Sequence, residues 1–246
     1  MAADDYAQPF GLSRRVVAEG LGTALLLAAV VGSGVMAERL CGGNTGLALL
    51  ANVTAISAAL VCLILTFGPI SGAHFNPAVT LADAWQRGLP WREVPAYVSA
   101  QAAGALAGAA VAHLMFGLPV LSASRHARAG AAQLFGEFVA TFGLLAVVWG
   151  CVRLQRPSVV PFAVAAYIMS AAWFTSSTSF ANPAVTLARS LSDTFVGIRP
   201  ADVPGFVAAQ LAGAAAATAL FRWLIPSLPE TARAVVMPHA SAGDGD

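Results

Sequence analysis

NPAVTLA occupies residues 76–82 and recurs at residues 182–188. Seven identical residues at two places in a chain of 246 are not a chance recurrence. Asn is among the best helix N-caps. Pro is favoured at the first helical position, where its missing N–H would have been unpaired anyway. Asn-Pro therefore reads as a helix start, and this chain writes the same start twice, each time inside an apolar stretch.

The rest of the chain decides where those helices lie. Hydrophobic residues make up 58% of the chain and charged residues 10%, with a mean hydropathy of +0.73. Soluble domains carry roughly 25% charged residues, so too few polar groups exist here to cover a water-exposed surface. The class is an all-α, multi-pass membrane protein. A net charge of +1 gives no sign of a nucleic-acid partner. Cys41, Cys62 and Cys151 are odd in number and form no CxxC, which argues against a disulfide framework or a metal site. No metal or cofactor is expected.

A spanning helix needs about 20 mostly apolar residues. Six stretches qualify or nearly so: 16–37, 46–67, 95–116, 133–152, 159–174 and 203–221. Two apolar pieces remain, 68–85 and 175–191, and each contains one NPAVTLA. Both are too short to cross. Irregular backbone at membrane depth is tolerated only where protein buries it or water lines it, so both are expected to be re-entrant. Charge counting sets the orientation. With an inner N-terminus, Arg14, Arg15, Arg87, Arg92, Arg153, Arg156, Arg222 and Arg233 fall inside, against Arg39, Arg125, Arg128, Arg189 and Arg199 outside. Both termini are thus expected on the cytoplasmic side. A segment 1–12 precedes a single channel-like domain, 13–225, and the Pro-, Ala- and Gly-rich stretch 226–246 reads as a mobile tail.

The halves align beyond the boxes. AEGLGTALLLAAVVGSG from Ala18 resembles GEFVATFGLLAVVWG from Gly136, each with Glu in second place, and QAAGALAGAA from Gln101 resembles QLAGAAAATA from Gln210. The repeats run over about 13–117 and 131–225. Each holds three spans, an odd number, so the second must sit inverted relative to the first. Such inverted repeats with broken helices place the functional site near the midplane. There the two short helices point their N-termini at each other, each carrying roughly half a positive charge. Cations meet an unfavourable field and neutral molecules do not. The amides of Asn76 and Asn182 can donate to a passing oxygen. The backbone of Gly72, Ala73 and His74, and of Thr178, Ser179 and Phe180, can present carbonyls in extended conformation. Donors and acceptors on one wall and apolar side chains on the other suit a narrow pore for small neutral solutes.

SGAHFNPAVTL from Ser71, the second NPA box, the Glu-bearing first and fourth spans and the six-plus-two organisation resemble the aquaporin or major intrinsic protein family. The resemblance covers roughly 13–224. It implies six transmembrane helices plus two re-entrant half-helices in an inverted repeat. It also implies a homotetramer with one pore per subunit in the lipid bilayer of a bacterial-type inner (plasma) membrane, and passive transport rather than enzymatic chemistry. The pore motifs would be Asn76, Pro77, Ala78 and Asn182, Pro183, Ala184. By spacing from the two asparagines, the family's selectivity filter falls on Ile56, Ser170, Ser179 and Val185. Water-selective and glycerol-conducting members usually carry an Arg where this chain has Val185. Its loss removes a charge and five donors and widens the filter, which implies solutes larger than water. TSSTSFANPAVTLARSLSDTFVGI resembles a bacterial subset of the family associated with arsenic-resistance genes. Glycerol-like polyols, arsenous acid or methylated arsenicals, together with water, are the expected solutes.

Other residues have two readings each. Arg189 lies one turn, about 5 Å, beyond Val185. It is either a charge in the outer vestibule or, as favoured, a headgroup or subunit contact. Glu19 and Glu137 are intramembrane acids, which raise the question of a proton relay. Their equal placement in both halves favours a structural role, and in the family such residues hold the re-entrant loops through backbone N–H groups. His74 reads as a loop-shaping residue, and Gly104 and Gly108 as a packing pair. Trp85, Trp91, Trp149, Trp173 and Trp223 read as interface anchors. The alternatives are a plain water channel, a proton-coupled transporter, a membrane enzyme and a non-conducting junction protein. Uptake independent of a proton gradient, and flux from purified protein, separate them.

Overall fold

A computed structural model of the protein describes residues 10–153 and 157–227. The segment 1–9, Arg156, and the stretch from 228 onward with Arg233 lie outside the described residues. The described chain is helical, with α1 at Leu12–Leu40, α2 at Thr45–Ser71, α3 at Pro77–Trp85, α4 at Val94–Met115, α5 at Ala131–Arg153, α6 at Val160–Phe174, α7 at Pro183–Arg189 and α8 at Val203–Leu224. Five of these are long and apolar enough to cross a membrane, and α6, at 15 residues, is a shorter apolar helix. Helix α3 has nine residues and α7 has seven, which makes them half-helices.

Local chemistry fixes the ends. Asn44 caps α2 by accepting the Leu47 N–H at 3.0 Å. Gly72 ends it in the left-handed region (φ 88°), a C-terminal geometry that glycine adopts without steric cost. Helix α2 continues through Pro69 to Ser71, four residues past the expected end at 67, so the first re-entrant loop begins only at Gly72. Helices α4, α6 and α8 each carry Pro in the first turn, where its missing N–H removes no helical bond.

In the first repeat α1 packs on α2 and α4, and in the second α5 packs on α6 and α8. The repeats meet where α2 touches α6 and where each half-helix reaches across, α7 to α4 and α3 to α8. Close approach depends on small residues. A Cβ on Gly104 would lie 2.1 Å from the Gly20 carbonyl oxygen, one on Gly108 2.0 Å from that of Ala24, and one on Gly213 2.4 Å from that of Phe138. Away from these contacts α1 exposes Val17, Leu21 and Leu25, a stripe at helical spacing that suits lipid. Trp85, Trp91, Trp173 and Trp223 are exposed. Trp149 is not an interface anchor. It is fully buried, and its indole donates to Thr218 Oγ1 at 3.3 Å across α5 and α8.

Candidate functional site

The half-helices meet through their asparagines. Asn76 Oδ1 accepts the Ala78 N–H at 2.9 Å, and Asn182 Oδ1 accepts those of Ala184 at 2.9 Å and Val185 at 3.3 Å. Each amide nitrogen then reaches the other repeat. Asn76 Nδ2 donates to the Ala181 carbonyl and Asn182 Nδ2 to the Phe75 carbonyl, both at 2.8 Å. An amide NH₂ carries two hydrogens. One on each asparagine is committed to this reciprocal brace, so only the second is left for a solute.

Two buried carboxylates hold the loops before the half-helices. Glu19 accepts from the His74 N–H at 2.9 Å, the Phe75 N–H at 2.7 Å, Ser71 Oγ at 2.7 Å and Gln101 Nε2 at 2.8 Å. Glu137 accepts from the Phe180 N–H at 2.8 Å, the Ala181 N–H at 2.9 Å and Gln210 Nε2 at 2.6 Å. The same glutamines donate to Thr80 Oγ1 and Thr186 Oγ1, both at 2.8 Å. Those hydroxyls in turn donate to the Asn76 and Asn182 carbonyls. Each repeat thus closes a Glu–Gln–Thr–Asn chain around its half-helix start. Thr80, Thr186, Gln101 and Gln210 were not singled out from the sequence. The signal was present, since all four recur at matching places in the repeats.

The loop backbone is not uniformly extended, as the sequence reading had it. Ala73, Phe75, Thr178, Ser179 and Ala181 all have φ between 48° and 62°, the left-handed region that costs residues with a Cβ about 1–3 kcal/mol each. The carboxylate anchors over-determine this conformation. Gly72, Ala73, His74, Thr178, Ser179 and Phe180 all border a central cavity of about 410 Å³.

Ile56, Val185 and both NPA asparagines also line that cavity. Ser170 does not. It is exposed, with its hydroxyl on the Tyr167 carbonyl at 2.9 Å, while Ile168 and Ala172 of the same helix line the wall. At 100° per residue, position 170 lies about 200° round from 168, on the opposite face. Ungapped counting back from Asn182 therefore lands on the face of α6 turned away from the cavity.

Arg189 is neither a headgroup contact nor on the outside of the subunit. It is 7% exposed and borders the cavity. Its Nε donates to the Val196 carbonyl, and its guanidinium lies 3.3 Å from the centre of the Phe180 ring. Arg128, from the loop before α5, also lies over that ring at 5.0 Å. It is held by the Gly197 and Ser177 carbonyls and by Thr178 Oγ1. His74 has partners that the sequence did not disclose, Thr80 Oγ1 at 3.1 Å and Asp83 Oδ2 at 3.6 Å.

The family profile described as "Major intrinsic protein" matches residues 7–171. The chain is 56% identical over 223 residues to aquaglyceroporin AqpS of Rhizobium meliloti (strain 1021), covering 90% of this chain and 95% of that protein. It is 33% identical over 223 residues to aquaporin NIP1-1 of Oryza sativa subsp. japonica, covering 86% of this chain and 73% of that protein. The X-ray structure of the aquaglyceroporin from Plasmodium falciparum superposes with a TM-score of 0.68 at 20% identity, over 89% of this chain and 99% of that one, a likeness of fold. The two half-helix starts, the paired carboxylate anchors and these matches lead to one conclusion: the chain belongs to the major intrinsic protein family, as a multi-pass membrane channel for small solutes and not an enzyme.

Proposed function

We propose that the chain passively conducts small uncharged solutes larger than water, namely glycerol-like polyols, arsenous acid or methylated arsenicals, with water also passing. The observation that carries this reading is Val185 on the cavity wall, three residues after Asn182, where relatives in the family usually carry Arg. With Ile56, Ser179 and an α6 residue, Ile168 or Ala172, in place of Ser170, the constriction pairs apolar surface with backbone carbonyls. That mixture suits a polyol, whose hydroxyls can trade water for the loop carbonyls and the asparagine amides while its carbon or arsenic side rests on aliphatic groups. The family setting supports a homotetramer in a bacterial plasma membrane with both termini cytoplasmic. A proton-coupled transporter would need a carboxyl free to load and unload. Glu19 and Glu137 have their oxygens occupied by loop N–H groups and glutamine amides, so this rival loses its obvious candidates.

The test is a solute panel in proteoliposomes, with water, glycerol, urea, arsenous acid and methylarsenicals, for wild type and Val185→Arg. Filling the constriction with a guanidinium is expected to lower glycerol and arsenous acid flux about tenfold or more while water flux persists. Equal rates for the bulky solutes in both proteins would sink the proposal.

A further inference from the structure

We propose that Arg189 supplies the fixed positive charge of this pore, acting one turn along α7 from Val185, and so provides the cation barrier that Val185 cannot. Arg128 stands behind it as a second cation. The inference rests on the neutral-solute reading above and goes beyond it by assigning the exclusion of charge to a residue outside the motif.

Four observations carry it. First, Val185 and Arg189 share a helix face, being four apart, and both border the cavity. Second, the guanidinium is fixed rather than swinging. Its Nε is spent on the Val196 carbonyl, and its plane rests on Phe180. That ring is itself pinned by the Phe180 N–H on Glu137 and by an edge contact with Phe206 at 5.3 Å. Third, the fork is only partly used. Among the described residues its terminal nitrogens have no hydrogen-bond partner, which leaves four N–H donors beside the space a solute crosses. Fourth, the charge is not cancelled. No carboxylate forms an ion pair with Arg189 among the described residues. Glu137 is the one carboxylate that acts on this site, and Arg128 adds a second positive group over the same ring, so two cations face one acid.

A subunit-interface or headgroup arginine would be exposed on the outer surface of the bundle. This one is 7% exposed and faces inward. A charge set back by one turn lets the wall at Val185 stay wide and apolar while a passing cation still meets it. Width and charge exclusion are thus separated onto two residues of one helix.

Wild type and variants are compared in liposomes for glycerol-driven volume change, methylammonium uptake, and proton flux under a potassium diffusion potential. Wild type is expected to pass glycerol while holding methylammonium and protons at the level of protein-free liposomes. Arg189→Gln is expected to raise methylammonium and proton flux, each taken relative to glycerol flux through the same protein, about tenfold or more, because a fixed charge has left a low-dielectric wall. Arg189→Lys is expected to keep the barrier. Arg189→Leu serves in place of the Gln variant should that protein not be recovered, with the same expected leak. A Gln or Leu variant that conducts glycerol and stays tight to cations overturns the inference, as does a Lys variant that leaks like Gln or a wild type that already leaks. Absence of glycerol flux in wild type overturns the solute reading, whereas a cation leak equal in wild type and Gln variant overturns this inference alone.

Discussion

Replacing Glu19 by Gln tests the brace at its most loaded point. The carboxylate meets four donors, two per oxygen. A Gln side chain keeps one oxygen and turns the other into a donor. Placing the new amide nitrogen where Oε2 stood would set it against the Phe75 N–H and the Gln101 amide, both donors. Placing it where Oε1 stood sets it against Ser71 Oγ and the His74 N–H. The Ser71 hydroxyl can turn its proton to the Phe67 carbonyl, already 3.5 Å away, and accept instead. The His74 N–H cannot turn. The second arrangement therefore wins and leaves one buried N–H without an acceptor, a cost of about 1–3 kcal/mol. At about 1.4 kcal/mol per tenfold, the loop should open about 5- to 150-fold more often. Hydrogen-exchange mass spectrometry in nanodiscs reads this directly, because local opening sets the exchange rate of a buried amide. Peptides spanning 71–76 should exchange faster by that factor, and peptides spanning 177–182 should not change. Glu137→Gln should do the reverse, since its Oε1 meets only the Phe180 N–H. Unchanged exchange at 71–76 in Glu19→Gln, or both loops loosening together, would refute the reasoning.

The threonines of the two boxes should differ although their letters match. Thr80 Oγ1 takes both Gln101 and His74 Nδ1, whereas Thr186 Oγ1 takes only Gln210. Each polar partner left without its bond costs about 1–3 kcal/mol, so Thr80→Val should lower the thermal midpoint in detergent more than Thr186→Val, and the opposite order would count against the assigned bonds. The helix crossing can be probed by volume. Gly104→Val would force a Cβ to within 2.1 Å of the Gly20 carbonyl oxygen and should abolish the monodisperse peak in size-exclusion chromatography. Gly150→Ala meets nothing within 4 Å and should be neutral, or stabilising by up to about 1 kcal/mol.

What could be read from the letters was whatever local chemistry determines. Asn-Pro capping, the apolar lengths and the doubled Glu in α1 and α5 needed no knowledge of neighbours, and they led to the helical inverted repeat. The failures share a cause. Ser170 rests on counting back from Asn182, and a count does not say which face of α6 its neighbours turn to the cavity. Trp149 sits late in its span, where a lipid interface was a fair reading, but whether it meets lipid or protein depends on α8 supplying Thr218. The Phe180 ring under Arg189 could not be seen at all, because it depends on a side chain from a loop folding beneath a helix that follows it.

The place where the repeats stop matching is the seventh residue after each Asn, Asp83 in the first copy and Arg189 in the second. Both lie near half-helix C-termini, where the backbone leaves partial negative charge that favours a cation and opposes an anion. Arg189 is therefore well placed by its own helix and turns to the cavity. Asp83 is placed against its helix, fully buried, with Nε2 of His74 3.6 Å from its carboxylate. Thr80 Oγ1 lies 3.1 Å from both the Asn76 carbonyl and His74 Nδ1, so the histidine tautomer decides which ring nitrogen carries the proton. With the proton on Nε2 the contact with Asp83 is attractive, and with it on Nδ1 the contact is attractive only when the acid carries a proton. The same position thus carries two answers to helix polarity. One half-helix turns a basic side chain to the cavity, and the other buries an acid against His74.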